Sequence, residues 1–118
     1  WVNKGTADIK TLEYIKKINS KKVAFFVTLG AYPDSEHAKK VIEKGYELLS
    51  YKNEVLGHFI CQGKIDPALT EMFKKFPPDH PHAMTSERKK RHEDASTHPD
   101  EDDCKNAKEI FKNIFENI

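Results

Sequence analysis

The chain has 118 residues, which suits one domain, and its 20 Lys and Arg against 19 Asp and Glu leave a formal net charge of +1. That balance excludes the one-sided basic footprint of a nucleic-acid binder and the strong negative charge of an acidic carrier. Charged residues make up 33% of the chain and the mean hydropathy is −0.75, so the surface is heavily solvated, and no apolar run approaches membrane-spanning length.

Asp8 to Ile18 carries Ile9, Leu12, Ile15 and Ile18 with lysines between them. This spacing predicts one face of an amphipathic helix, with Thr6 or Asp8 as its cap and Asn19-Ser20 as its end. Lys21 to Thr28 predicts a strand. Its five consecutive apolar residues, Val23-Ala24-Phe25-Phe26-Val27, cannot all face one side of a sheet, because side chains alternate. Such a run is typical of a central parallel strand covered on both faces. A tight loop, Gly30-Ala31-Tyr32-Pro33, follows. A helix then spans Ser35 to Ser50, capped by Asp34 or Ser35, with Ala38, Val41, Ile42, Leu48 and Leu49 inward. Gly45 inside it costs up to about 1 kcal/mol relative to Ala.

A second strand covers Val55 to Cys61, and Asp66-Pro67 opens a short helix whose apolar residues are Leu69, Met72, Phe73 and Phe76. Pro77 to Asp103 differs in kind: it holds four of the six prolines and four of the six histidines, with no Val, Ile, Leu or Phe. It reads as an excursion containing a charged helix from Ser86 to Ala95, capped by Thr85. The last helix runs from about Asp102 to the end, with Ala107, Ile110, Phe111, Ile114, Phe115 and Ile118 as its apolar face.

Strands alternating with helices predict right-handed βαβ units and a parallel sheet. Two strands cannot cover Phe25 and Phe26 and also seat three amphipathic helices. The expectation is therefore that further strands precede Trp1, or that a second copy completes the sheet by self-association. A first residue other than Met fits a fragment or a processed chain. The cysteines, Cys61 and Cys104, form no paired motif and read as free thiols in a reducing, cytoplasmic setting. No signal peptide is visible in the sequence.

Trp1-x3-Gly5-Thr6-Ala7-Asp8, followed by Thr28-Leu29-Gly30-Ala31-Tyr32-Pro33-Asp34-Ser35-Glu36, resembles the flavodoxin family. The resemblance covers nearly the whole chain but only the C-terminal two thirds of such a domain. It implies a flavodoxin-like, doubly wound parallel sheet in a three-layer α/β/α arrangement, lacking its N-terminal strands, over residues 1–118 with the excursion at about 77–103. Trp1 to Asp8 looks like the end of the third strand and a loop carrying an aromatic beside the flavin. Val23 to Pro33 looks like the fourth strand and the second flavin-flanking loop, Val55 to Gly63 like the fifth strand, and Asn106 to Ile118 like the last helix. The resemblance implies FMN as cofactor, electron transfer to a partner reductase, and no membrane or nucleic-acid partner. It departs from the family in one place. The Ser/Thr-rich, Gly-containing loop that holds the FMN phosphate after the first strand has no counterpart in these residues.

The site residues follow. Thr28, Leu29, Gly30 and Ala31 are candidate ring contacts, and Trp1 and Tyr32 candidate stacking groups; by pattern alone the same residues make an ordinary strand-to-helix turn and a hydrophobic plug. Asn3, Gly5 and Thr6 precede a helix start, where anion binding competes with simple capping. Lys4 offers either a counter-charge to a reduced ring or a solvated lysine. His80, His82, His92 and His98 with Cys104 lack any tight ligand spacing, so no metal is expected and the excursion reads as a docking element or lid. Arg88-Lys89-Lys90-Arg91 lies among acids and reads as a solvated surface. Neither a Ser-His-Asp arrangement nor paired carboxylates can be read, so no catalytic residue is assigned. Two rivals remain: a flavin-dependent oxidoreductase with its own small substrate, and a flavin-free interaction module.

Overall fold

The computed structural model of the chain describes residues 1–118, the Asn3 side chain excepted. Its centre is a parallel pair, β3 (Lys22–Leu29) and β4 (Glu54–Gln62), paired from Lys22 opposite Glu54 to Leu29 opposite Gln62 with one register shift between Val23 and Ala24. The crossover between them is α2 (Glu36–Ser50), capped by the Ser35 hydroxyl accepting from the Ala38 amide at 3.1 Å. α2 covers one face of the pair, where Phe25 packs edge-on to Tyr46 and stacks on His58. The opposite face is covered by α5 (Glu101–Glu116): Ile114 lies directly against Gly57. A parallel sheet with a helix layer on each side is the flavodoxin-like α/β fold expected from the sequence.

Before β3 come β1 (Val2–Asn3) and β2 (Thr6–Ala7), an antiparallel hairpin, and α1 (Ile9–Lys16), capped by Asp8 and not by Thr6. The hairpin turn is Lys4-Gly5, both with positive φ (52° and 82°), so Gly5 is fixed by turn geometry. After β4 come α3 (Pro67–Lys74) and α4 (Ser86–Ala95), the latter starting and ending where the sequence places it, with Thr85 as its cap. α5 begins at Glu101, slightly before the expected start, because Asp100 and Asp103 close a capping box.

The apolar face expected for α5 is too wide. Ile110, Phe115 and Ile118 are exposed, and Ala107, Phe111 and Ile114 form a narrower, half-buried stripe. α5 packs chiefly on a single strand, β4, which shelters only that stripe. Likewise Leu69 and Met72 of α3 are exposed, and Phe76 lies beyond its end. In β3 the two phenylalanines part company. Phe25 faces α2, while Phe26 is 71% exposed beside the strand edge that no other long strand pairs. No helix is long and apolar enough to cross a membrane.

Candidate functional site

In a parallel α/β sheet, ligands sit beyond the carboxyl ends of the strands. Here those ends are Leu29 and Gln62, paired in register, and the next residue of each strand is a glycine. Gly30 and Gly63 form a low floor at that rim. A Cβ on Gly63 would come 2.8 Å from Trp1 Cζ3 and 3.2 Å from Thr28 Cβ. A Cβ on Gly30 would come 3.9 Å from Trp1 Cη2 and 2.7 Å from Ile65 Cδ1. The indole of Trp1 therefore lies against both glycines and remains 54% exposed.

The loop after β3 is tied down by hydrogen bonds. The Leu29 carbonyl accepts from the Gly63 amide at 2.8 Å, and the Gly30 carbonyl accepts from Gln62 Nε2 at 3.2 Å. Gln62 is buried, so its amide is committed to this bond. The Tyr32 carbonyl accepts from the Ser35 amide at 3.1 Å and from its hydroxyl at 2.7 Å. The Tyr32 hydroxyl donates to Asp94 Oδ2 at 2.7 Å. That bond, with burial adding to it, raises the Tyr32 phenol above its ordinary value, and the same bond holds Asp94 below the usual carboxylate value against the opposing effect of burial.

Of the sequence candidates, Trp1, Thr28 and Gly30 meet at this rim. Leu29 is buried, so only its main chain can face a ligand. Tyr32 borders the rim with its hydroxyl turned to α4. Lys4 and Gly5 form the hairpin turn, with Lys4 exposed and Gly5 beside His37. Thr6 lines an apolar cavity of about 140 Å3 with Trp1, Val41 and Leu48, and its hydroxyl is buried without a partner. The side chain of Asn3 lies outside the described residues. Sequence reading missed Gln62, Gly63, Ile65 and Asp94. The first two were recoverable: a parallel register places the Gln-Gly after β4 level with the Leu-Gly after β3. Asp94, 62 residues from Tyr32, had no local signal.

The histidines of the excursion divide. His80 stacks on Phe76 at 4.0 Å between ring centroids, and His82 on Phe73 at 5.8 Å. His92 is buried and shares a hydrogen bond of 2.7 Å with Thr70 Oγ1. His98 lies 2.6 Å from Asp103 and 3.7 Å from Asp100. Those three residues are the group of potential metal ligands that gathers among the described residues, and both carboxylates already cap α5.

Flavin-ring binding needs a flat slot, close backbone approach and an aromatic wall. The half-open Trp1 indole offers an aromatic wall for such a ring, while the space directly over Gly30 and Gly63 is taken by Ile65 and by Trp1 itself. Lys64 lines a shallow pocket with Trp1 and Ile65 beside this rim, and no glycine-rich loop for a phosphate gathers there among the described residues.

The chain belongs to the flavodoxin-domain family: the family profile (Flavodoxin_3, flavodoxin domain) matches residues 1–112. That match runs over nearly the whole chain and gives no support to the narrower expectation of a C-terminal two thirds. The chain is 36% identical over 118 residues to the flavodoxin-like domain-containing protein BilS of Clostridioides difficile (strain CD3). The alignment covers 98% of this chain and 66% of that protein, so the chain spans about two thirds of the relative's length.

Proposed function

We propose that the protein binds FMN non-covalently at the carboxyl ends of β3 and β4 and carries electrons to a partner redox protein. The observation that supports this most is the seating of Trp1 on Gly30 and Gly63. It joins the two segments whose residues resemble the flavin-flanking loops, at the strand ends where such folds bind ligands.

The chemistry that FMN supplies when bound is one- and two-electron transfer. The chain's part is to place the ring and keep water from it. Trp1 covers one side with apolar surface. The missing side chain of Gly30 lets Ile65 and Trp1 pack down on the rim, and Gln62 fixes its carbonyl. Thr28 and Ala31 border the same loop, and Tyr32 closes its outer edge. Lys4 offers a positive charge on the hairpin that follows Trp1.

A flavin-free interaction module is the second reading. It draws on Ile65, whose side chain already packs on Gly30. An absorbance spectrum decides between the two. Protein purified after incubation with FMN should retain flavin bands through gel filtration; a colourless protein under the same treatment contradicts the proposal. Turnover of a quinone without a partner protein would instead favour a reductase with its own substrate.

A further inference from the structure

We infer that Asp94, in the charged excursion, is a positioning residue that fixes Tyr32 and makes α4 an outer wall of the site. The role of Tyr32 beside a ring rests on the flavin reading above, but the tie between the two side chains does not.

The main chain from Gly30 to Ser35 is already held at both ends. Gly30 is bonded to Gln62 in the sheet, and Tyr32 to Ser35 at the cap of α2. The remaining freedom is the direction of the Tyr32 ring, and its hydroxyl is held by Asp94. A hydrogen bond to an ionised carboxylate is roughly twice as strong as a neutral one.

Asp94 can hold a direction only if α4 is itself anchored. His92 and Ala95 of α4 are buried, and His92 bonds Thr70 of α3 at 2.7 Å. Arg88 Nη1 donates to the Ala83 carbonyl at 2.6 Å, tying the helix to the turn before it. Lys90 Nζ lies 3.4 Å from Asp94 Oδ2 and keeps the carboxylate compensated. The helix thus reaches Tyr32 from a fixed base. A segment with no Val, Ile, Leu or Phe has this arrangement because its order comes from polar bonds and histidine stacking.

The test compares wild type with Asp94→Ala, Asp94→Asn and Tyr32→Phe, with circular dichroism confirming folding. The first readout is alkaline titration of the tyrosine absorbance. The chain has four tyrosines, and Tyr32→Phe identifies which step belongs to Tyr32. That step should move down in Asp94→Ala and only part of the way in Asp94→Asn, which keeps an acceptor. The second is NMR of the Tyr32 ring, whose resonances should shift toward averaged, unrestrained values in Asp94→Ala. The third is FMN affinity, which should fall several-fold in Asp94→Ala and Tyr32→Phe alike, with no further loss in the double variant. An unmoved tyrosine step, or unchanged ring resonances and affinity despite a moved step, overturns the positioning role. A wild type that binds no FMN overturns the flavin reading alone, and the first two readouts then decide the inference.

Discussion

The ring of Phe25 lies directly on Gly45: a Cβ there would come 2.6 Å from Phe25 Cε2 and 2.8 Å from Cζ. Helix propensity alone makes Gly45 a weak point worth up to about 1 kcal/mol. Contact with β3 reverses that sign. Tyr46 and His58 pack on Phe25 at centroid distances of 5.2 and 5.7 Å and resist its displacement. Gly45→Ala should therefore destabilise the protein by about 1–3 kcal/mol through overpacking. Urea unfolding checks this, and a higher midpoint for the variant would contradict it.

Stability should depend on pH through histidines that pull in opposite directions. Burial lowers His58 below its usual 6.5. His58 binds fewer protons folded than unfolded, so its contribution is full above 6.5 and shrinks as pH falls through that value. His98 is raised, chiefly by its bond to Asp103. Its contribution is full below 6.5 and is lost as pH rises through the elevated value. His98→Gln should accordingly destabilise the protein more at about pH 6 than at about pH 9. Chemical denaturation at the two pH values measures this, and an equal loss at both would contradict it.

The two thiols should differ in reactivity. Cys61 is buried at the end of β4, and burial, aided by Asp103 and Asp100, pushes it up to about 11. Cys104 is exposed on the first turns of α5. Near neutral pH, an aromatic disulfide reagent should titrate one thiol per native chain quickly and the second only on unfolding. Two fast thiols would show that Cys61 is not sheltered.

What the sequence reveals and what it hides divide along physical lines. Caps and apolar periods are local, so α2, α4 and both long strands fall within one or two residues of their expected bounds. The burial of a helix face depends on what lies opposite, and composition does not say that. Phe115 and Phe26 are as apolar as Phe25, yet both are 71% exposed, because no element covers them. The same holds at the site. Trp1, Thr28 and Gly30 are marked by a motif, and the structure brings them together. Gly63 comes from strand register, and Asp94 comes from how a polar excursion folds back. No spacing in one sequence encodes that last contact.

Gly63 offers a direct perturbation of the rim. Gly63→Ala places a Cβ 2.8 Å from Trp1 Cζ3, so the indole must shift outward. The variant should stay folded, because Trp1 is half-open and can move. Its tryptophan emission should red-shift as the ring meets more water. An unchanged emission spectrum would mean that Trp1 does not rest on this glycine in solution.

Trp1 is the single tryptophan of the sequence, which makes its emission a probe of the proposed ring site. The decisive measurement is an FMN titration that follows Trp1 emission and flavin fluorescence together, in wild type and Gly63→Ala. Binding beside the indole predicts saturable quenching of both signals in the wild type at one FMN per chain, with affinity several-fold weaker in Gly63→Ala. Flavin that leaves Trp1 emission unquenched at saturation, or binds the variant equally well, would contradict a site at the Trp1 rim.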